Sequence, residues 1–353
     1  MFNDLKIVEL GTVLAIPSVG TFFAEMGADV LKIEPLEGGD VTRSWKNSRE
    51  DAGNPVSAYF SSVNYGKRYA RADLKRTADL NAVREHCAQA DILLVNFKHG
   101  DAERYGLDFD TLKSINPRLI YGHLTGFRST PERVAYDTVL QAETGFMHMN
   151  GYPDSLPAKM PVALIDVLGA HQMKEGLLVA LLQREKTGKG GKVSVTLEES
   201  ALSSLINQAS NYLMTGMNPG RSGTLHPNIA PYGEMFQTSD GPLIVLAVGS
   251  NRQFETLVRI LNRPHLADDD RFRGNVQRVQ NREALAAELS TAFRQHASTV
   301  LMEQFIAQDV PAGVVKDLSA VFQSDLARDM VLRETVEGQQ TERMRSVVFR
   351  ITE

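Results

Sequence analysis

The sequence has 353 residues, 42% hydrophobic and 23% charged, a balance that excludes long disorder, a collagen-like repeat or a disulfide scaffold. Its 38 Lys and Arg against 43 Asp and Glu give a net charge of −5, so there is no overall basic field to hold a nucleic-acid backbone. The single cysteine, Cys87, can form neither an internal disulfide nor a thiolate metal cage, and inside a helical run it reads as a buried structural thiol.

Asn3, Asp4 and Lys6 interrupt the N-terminal apolar residues before any signal-peptide core, and no stretch has the length of a membrane span. A reducing cytoplasm is the expected compartment. The length suggests roughly two structural units. Residues 5–10 predict a buried strand, Gly11 a turn, and residues 17–26 a helix. Residues 30–33, 91–95 and 119–121 predict further strands, with helical spacing over 80–90 and 107–115. Strands alternating with helices imply an α/β fold with a mostly parallel sheet. The turn Gly11-Thr12-Val13-Leu14-Ala15-Ile16-Pro17 lacks the G-x-G-x-x-G pattern that lets backbone approach a pyrophosphate, so a bound dinucleotide is not expected. The phosphate loop, the nucleophile elbow and the H-E-x-x-H zinc helix are missing as well.

A long helix is expected over 167–184, ending in the glycine- and cation-rich Lys186-Thr187-Gly188-Lys189-Gly190-Gly191. A strand at 193–195 and helical spacing over 197–213 follow, then a Gly-, Pro-, Asn- and Ser-rich stretch that reads as a linker. Beyond it, residues 234–237 and 243–248 around Ser239-Asp240-Gly241 predict a hairpin. Helices begin near Asn251, Arg282 and Thr299, and residues 346–351 predict a strand returning to a sheet. The expected division is a Rossmann-like large domain over 1–215, a linker over 216–232, a smaller α+β domain over 233–320, and a return segment over 321–353.

The segment Met160-Pro161-Val162-Ala163-Leu164-Ile165-Asp166-Val167 places one carboxylate in an apolar stretch where the long helix begins. Asp166 reads as an N-cap, since Asp accepts hydrogen bonds from the first free N–H groups of a helix. The same position also suits a carboxylate nucleophile, held ionised and oriented at a helix start. The residues alone leave both readings open. Met147, Met214 and Met217 read as core fillers rather than as the lining of an acyl pocket.

Several motifs in order resemble the class III CoA-transferase family, the CaiB/BaiF group that includes carnitine dehydratase and formyl-CoA transferase. They are Gly27-Ala28-Asp29-Val30-Leu31-Lys32-Ile33-Glu34-Pro35, Gly39-Asp40-x-Thr42-Arg43, Asn64-x-x-Lys67-Arg68, Asp73-Leu74-Lys75 and Val95-Asn96-Phe97. The series continues with Arg104-x-Gly106-Leu107, Ala135-Tyr136-Asp137, Ile165-Asp166, Lys186-Thr187-Gly188-Lys189-Gly190 and His226-Pro227-Asn228-x-x-Pro231-Tyr232. The resemblance implies that Asp166 is a catalytic aspartate, attacking an acyl-CoA thioester to give an aspartyl anhydride and then an aspartyl-CoA thioester. It implies CoA contacts at Ala72, Asp73, Leu74, Lys75, Asn96, Phe97, Lys98, Arg104, Tyr136 and Asp137. It also implies an interlocked, ring-shaped homodimer, acyl-CoA and a small carboxylic acid as substrates, and neither a permanently bound cofactor nor a metal.

Two departures bear on specificity. Glu34 is followed by Pro35, Leu36 and Glu37 where many relatives have an arginine, and Leu14 stands where formyl-CoA transferases have glutamine, which argues against a formyl-CoA/oxalate specificity. The related α-methylacyl-CoA racemases place a histidine where this chain has Tyr136, and a tyrosine of pKa about 10 is a poor proton carrier, so transfer is favoured over racemisation. A catalytically silent CoA-binding protein is the remaining alternative, and the presence of Asp166 argues against it.

Overall fold

Six short strands, Lys6–Glu9 (β1), Asp29–Pro35 (β2), Arg68–Ala72 (β3), Ile92–Val95 (β4), Ile120–Thr125 (β5) and Gly191–Thr196 (β6), form one sheet in the computed structural model, which describes residues 2–352. The order is β3-β2-β1-β4-β5-β6, and every neighbouring pair is parallel. The chain leaves β1 toward β2 on one side and returns through β4 on the other, so the loops after β1 and β4 diverge. Their divergence opens a crevice beyond the C-terminal ends of the two strands.

Side chains alternate faces along each strand. Ile7, Val30, Ile92 and Leu94 pack on one face under the helices Ala15–Glu25 (α1) and Leu164–Thr187 (α4), with Phe23, Ile165, Met173 and Leu177. Val8, Leu31, Leu93 and Val95 point to the other face and pack with Val83, Cys87 and Leu112. Because both faces are covered, β4 is apolar without interruption, Ile-Leu-Leu-Val, all buried. Two shorter helices matter below, Ala58–Ser62 (α2) and Asp137–Glu143 (α3).

Three expectations need correction. The helical spacing over 197–213 is split into Leu197–Ser203 and Ile206–Thr215, because Ile206 adopts φ 42° and breaks the run. Met214 and Met217 are 86% and 73% exposed, so they are not core fillers. Residues 346–351 are not a strand: the Ser346 and Val347 N–H groups donate to the Glu25 carboxylate at the end of α1, at 3.0 and 2.9 Å, instead of to a sheet edge. The strands near that end are Val331–Val336 (β10) and Gln339–Met344 (β11), an antiparallel hairpin whose turn residues Glu337 and Gly338 both have positive φ. Val336 packs on Val56 and Phe60.

The chain divides into two units, one of residues 2–147, 159–218 and 329–352, the other of 148–158 and 219–328. In the second, Tyr232–Gln237 (β7), Leu243–Ala247 (β8) and Ala312–Val314 (β9) form an antiparallel sheet backed by Asn251–Ile260, Arg282–Phe293 and Ser298–Ala307. Its core of Phe236, Ile244, Leu246, Phe254, Leu257, Phe293 and Phe305 is its own. Residues 219–232, read from the sequence as linker, are part of this unit, as is 148–158, where Gly151 accepts a hydrogen bond from the Gly223 N–H at 2.8 Å. Among the described residues no helix is long and apolar enough to cross a membrane.

Candidate active site

Between β1 and α1 the chain turns through Gly11, Thr12 and Val13, and Val13 sits at φ 73°, a conformation that β-branched residues avoid. Hydrogen bonds from three sides hold it there. Lys32 donates to Gly11 O at 2.8 Å, Asp40 Oδ1 accepts from the Val13 N–H at 3.4 Å, and Asn96 pairs reciprocally with the Thr12 N–H and C=O at 3.1 and 3.0 Å. Lys32 is itself bound by Glu9 at 2.9 Å and Asp40 at 3.0 Å, and Lys67 reaches the other Glu9 oxygen at 2.8 Å. All four of these charged side chains are fully buried. Gly20 of α1 makes room for them, because a Cβ there would lie 1.9 Å from Glu9 Oε2.

In this network charges compensate one another. Burial works against the Lys32 ammonium, but Glu9 and Asp40 outweigh it and raise its pKa above the ordinary lysine value. Burial likewise works against ionised Asp40, and Lys32 with the Thr42 N–H and hydroxyl outweighs it and lowers the pKa. Lys67 has one ionic partner and a like-charged neighbour, so burial prevails and brings it down to about 8.

Asp166 is treated differently. It is the third residue of α4 and not its cap, for the capping position is Ala163, which makes no side-chain cap bond. The N-cap reading of Asp166 is therefore replaced: the acceptor at this helix start is Asp137, whose Oδ1 takes the Ile165 N–H at 2.7 Å. Asp166 is 7% exposed and, among the described residues, has no hydrogen-bond or ion-pair partner. Burial first, and then the negative charge of Asp137, push its carboxyl up to about 7. Tyr59 of α2, which meets Trp45 edge to face at 5.1 Å, is pushed up to about 12 by burial and by the charges of Asp166, Asp137 and Asp40, so it stays a phenol.

Asp166 opens into a cavity of about 210 Å³ at the β1/β4 crevice, lined also by Val13, Leu14, Asn96, Phe97, Lys98 and Tyr136. A neighbouring cavity of about 470 Å³ lies beyond β1, β2 and β3 and is lined by Ala72, Asp73, Leu74, Lys75 and Glu37. Thr12 and Phe97 border both, so the two adjoin along the groove at this edge of the sheet. Two of the residues proposed from the sequence stand apart. Arg104 is exposed and lies over the ring of Tyr105, which lines the larger cavity. Asp137 is turned inward, with Oδ2 accepting from Gln141 Nε2 at 2.6 Å. Asn96 has both polar atoms engaged by Thr12, which makes it a support of the groove wall. The sequence reading passed over Tyr59, Gln141 and the backbone of Val13; only the Val-Leu-Ala-Ile-Pro run in place of a glycine turn hinted at an unusual conformation there.

The fold and the site together are those of an α/β protein whose parallel sheet is covered on both faces and which carries, among the described residues, an unpaired and buried carboxylate at its crevice. The chain belongs to CoA-transferase family III, which residues 2–352 match. It is a class III CoA-transferase: it is 36% identical over 343 residues to the succinate–glutarate CoA-transferase of Agrobacterium fabrum, covering 96% of this chain and 85% of that one. The acetyl-CoA:oxalate CoA-transferase of Acetobacter aceti is 34% identical, covering 94% and 85%. A CaiB/BaiF family protein of Brucella suis, solved by crystallography, superposes with a TM-score of 0.85 at 36% identity, covering 99% of this chain and 92% of that one.

Proposed function

We propose that this protein moves CoA from the acyl-CoA of a small dicarboxylic acid to a second, free dicarboxylate, with Asp166 as the nucleophile. What carries the reading is the unpartnered, buried carboxylate of Asp166 at the crevice. The dicarboxylate substrates follow the relatives that act on succinate, glutarate and oxalate. Leu14, which borders the cavity, favours a longer and less polar acid than oxalate.

In the first step an Asp166 oxygen attacks the thioester carbon, the C–S bond of the adduct breaks, CoA leaves as thiolate, and a mixed anhydride of Asp166 and the donor acid remains. The thiolate then attacks the Asp166 carboxyl carbon, releasing the donor acid and leaving an aspartyl-CoA thioester. The acceptor carboxylate attacks that carbon to form a second anhydride, and the returning thiolate takes the acceptor acyl group and frees Asp166. An ordinary carboxylate, with a pKa of about 4, is a far better leaving group than a thiolate whose thiol has a pKa of about 8.5, so the first adduct would collapse backward. Raising Asp166 to about 7 narrows that gap. The anhydride must also be kept from water while the second acid arrives.

On this reading CoA lies along the groove, its nucleotide end by Ala72–Lys75 and its thioester past Phe97 and Lys98 toward Asp166, with Arg104 at the phosphates. The working form is a homodimer in the cytoplasm. The test is incubation with succinyl-CoA and hydroxylamine, which converts an activated Asp166 into a hydroxamate detectable by peptide mass spectrometry. Asp166→Asn should bind CoA and lose at least about a thousandfold in turnover. A hydroxamate at a different residue, or substantial turnover in the variant with deamidation excluded, overturns the proposal.

A further inference from the structure

We infer that Asp137 is a positioning residue for Asp166 and not a contact of CoA: with Gln141 it forms a buried brace that fixes both the approach to α4 and its first turn. The inference rests on the reading of Asp166 as nucleophile. Its basis is a directed chain of hydrogen bonds. The Met160 N–H donates to Gln141 Oε1 at 2.8 Å, Gln141 Nε2 donates to Asp137 Oδ2 at 2.6 Å, and the Ile165 N–H donates to Asp137 Oδ1 at 2.7 Å. Gln141 is fully buried and Asp137 is 8% exposed. Asp137 and Gln141 are one turn apart on α3, so a single rigid helix grips residues 160 and 165 from one side.

Every donor in this chain points toward Asp137, which must accept on both oxygens. Only a carboxylate of this length can do so, since an amide has one acceptor. The Ile165 N–H is one of the helix-start donors that lack an intrahelical partner, so Asp137 acts as a cap supplied from another element. The side chain that follows Ile165 is Asp166, and a displacement of this backbone moves the nucleophile directly. Each oxygen of Asp137 is taken by a protein donor and the residue lines neither cavity, whereas the neighbouring Tyr136, 48% exposed, lines the smaller one and faces the ligand in its place.

The brace also sets the charge around Asp166. Facing Asp166 are the phenol of Tyr59 from α2, Lys98 and His99 after β4, and Glu132, Arg133 and Tyr136 before α3. Glu198 and Glu199 at the start of the following helix are bound to Arg128. Asp137 is the charge among them that, with burial, raises Asp166.

The experiment compares Asp137→Asn with the double variant Asp137→Asn/Gln141→Glu. In the single variant the asparagine can keep the Ile165 N–H, but its amide nitrogen then faces Gln141, which must rotate and set its own NH2 against the Met160 N–H. In the double variant the new glutamate accepts from both the asparagine amide and Met160, so all three bonds return with one link reversed. We expect the single variant to lose at least about tenfold in kcat, to keep its KM for acyl-CoA within about twofold, and to shift the acid limb of kcat/KM down by about one pH unit. The double variant should recover most of the lost kcat.

A raised KM or Kd for acyl-CoA with kcat kept would make Asp137 a ligand contact and overturn the inference. So would an unmoved acid limb, or a double variant no better than the single one. A wild-type hydroxamate that maps away from Asp166 removes the nucleophile reading itself, a failure visible before either variant is made.

Discussion

The two sides of the β1–α1 turn treat buried charge in opposite ways. On one side Glu9, Lys32, Asp40 and Lys67 are fully buried, and every charge has an opposite partner within 3.0 Å. On the other, Asp166 is nearly as buried and, among the described residues, has no partner. Pairing lowers the carboxyl of Asp40, whereas burial and then the charge of Asp137, with no cation bound to oppose them, raise that of Asp166. Both sites are nearly shut off from solvent, so burial does not distinguish them; the placement of counter-charge does. The paired side holds Val13 in an unfavourable conformation and so shapes the groove, while the unpaired side leaves a carboxylate poorly solvated, as the proposed nucleophile requires.

The largest effect should come from breaking the paired side. Lys32→Met removes the ammonium that compensates Glu9 and Asp40, leaves Asp40 without a cation and releases the Gly11 carbonyl. Stability should fall by about 3–5 kcal/mol, the usual cost of stranding one partner of a buried pair. Denaturant titration near neutral pH measures it, and a loss under about 1 kcal/mol would mean that water or a rearranged Lys67 replaces Lys32. Surviving folded enzyme should also show weakened transfer, since Val13 loses its support.

The unpaired side should respond with the opposite sign. The folded-state pKa of Asp166 lies near 7, above the usual 3.8, so the native protein holds that proton more tightly than the unfolded chain. The resulting penalty on folding is absent below about pH 4, grows between pH 4 and 7, and is constant above. Asp166→Asn cannot ionise and escapes it. At pH 8 the variant should therefore be more stable than the parent by roughly 2 to 4 kcal/mol, and at pH 4 about equal, although it has lost transfer. Equal melting temperatures at pH 8 would show that Asp166 is solvated in the native state after all.

How much of this could be read from the chain differs between the two sides. The strand and helix periodicities, the parallel sheet and the position of Asp166 at the start of a long helix were all legible, because each depends on local spacing. The paired network was visible only as fragments: Lys32, Asp40 and Lys67 stand in separate motifs, but the meeting of Lys32 and Lys67 at Glu9, and of Asp40 with Lys32, depends on the register Glu9↔Lys32 between β1 and β2. Long-range pairing of that kind has no local signature. The same holds for Asp137, whose partner Ile165 lies 28 residues away and whose inward hydrogen bonds support the positioning role inferred above. β3 was missed because Arg68-Tyr69-Ala70-Arg71-Ala72 is a polar edge strand, and the hairpin β10–β11 because Glu-Gly is a weaker turn signal than Asn-Gly. The apolar run at 346–351 misled in the other direction, since a strand needs an edge to pair with and Glu25 takes its N–H groups first.

The smallest effect is the pH response of the intact enzyme, and it separates the two carboxylates most directly. On the proposed mechanism attack on the thioester requires ionised Asp166, while a dicarboxylic acceptor, with one carboxyl pKa near 4, already carries a reacting carboxylate across the range of interest. With Asp166 raised to about 7, kcat/KM should be level above about pH 8 and fall tenfold per unit below 7, close to tenfold down at pH 6 and a hundredfold at pH 5. Asp40 cannot produce that limb, because its lowered pKa keeps it ionised throughout. The rate of transfer between succinyl-CoA and a free dicarboxylate, followed from pH 5 to 8 at substrate well below KM, makes the measurement. An acid limb near pH 4 would place the reacting carboxylate in an ordinary, solvated environment, and the distinction between the paired and unpaired sides of the turn would lose its chemical meaning.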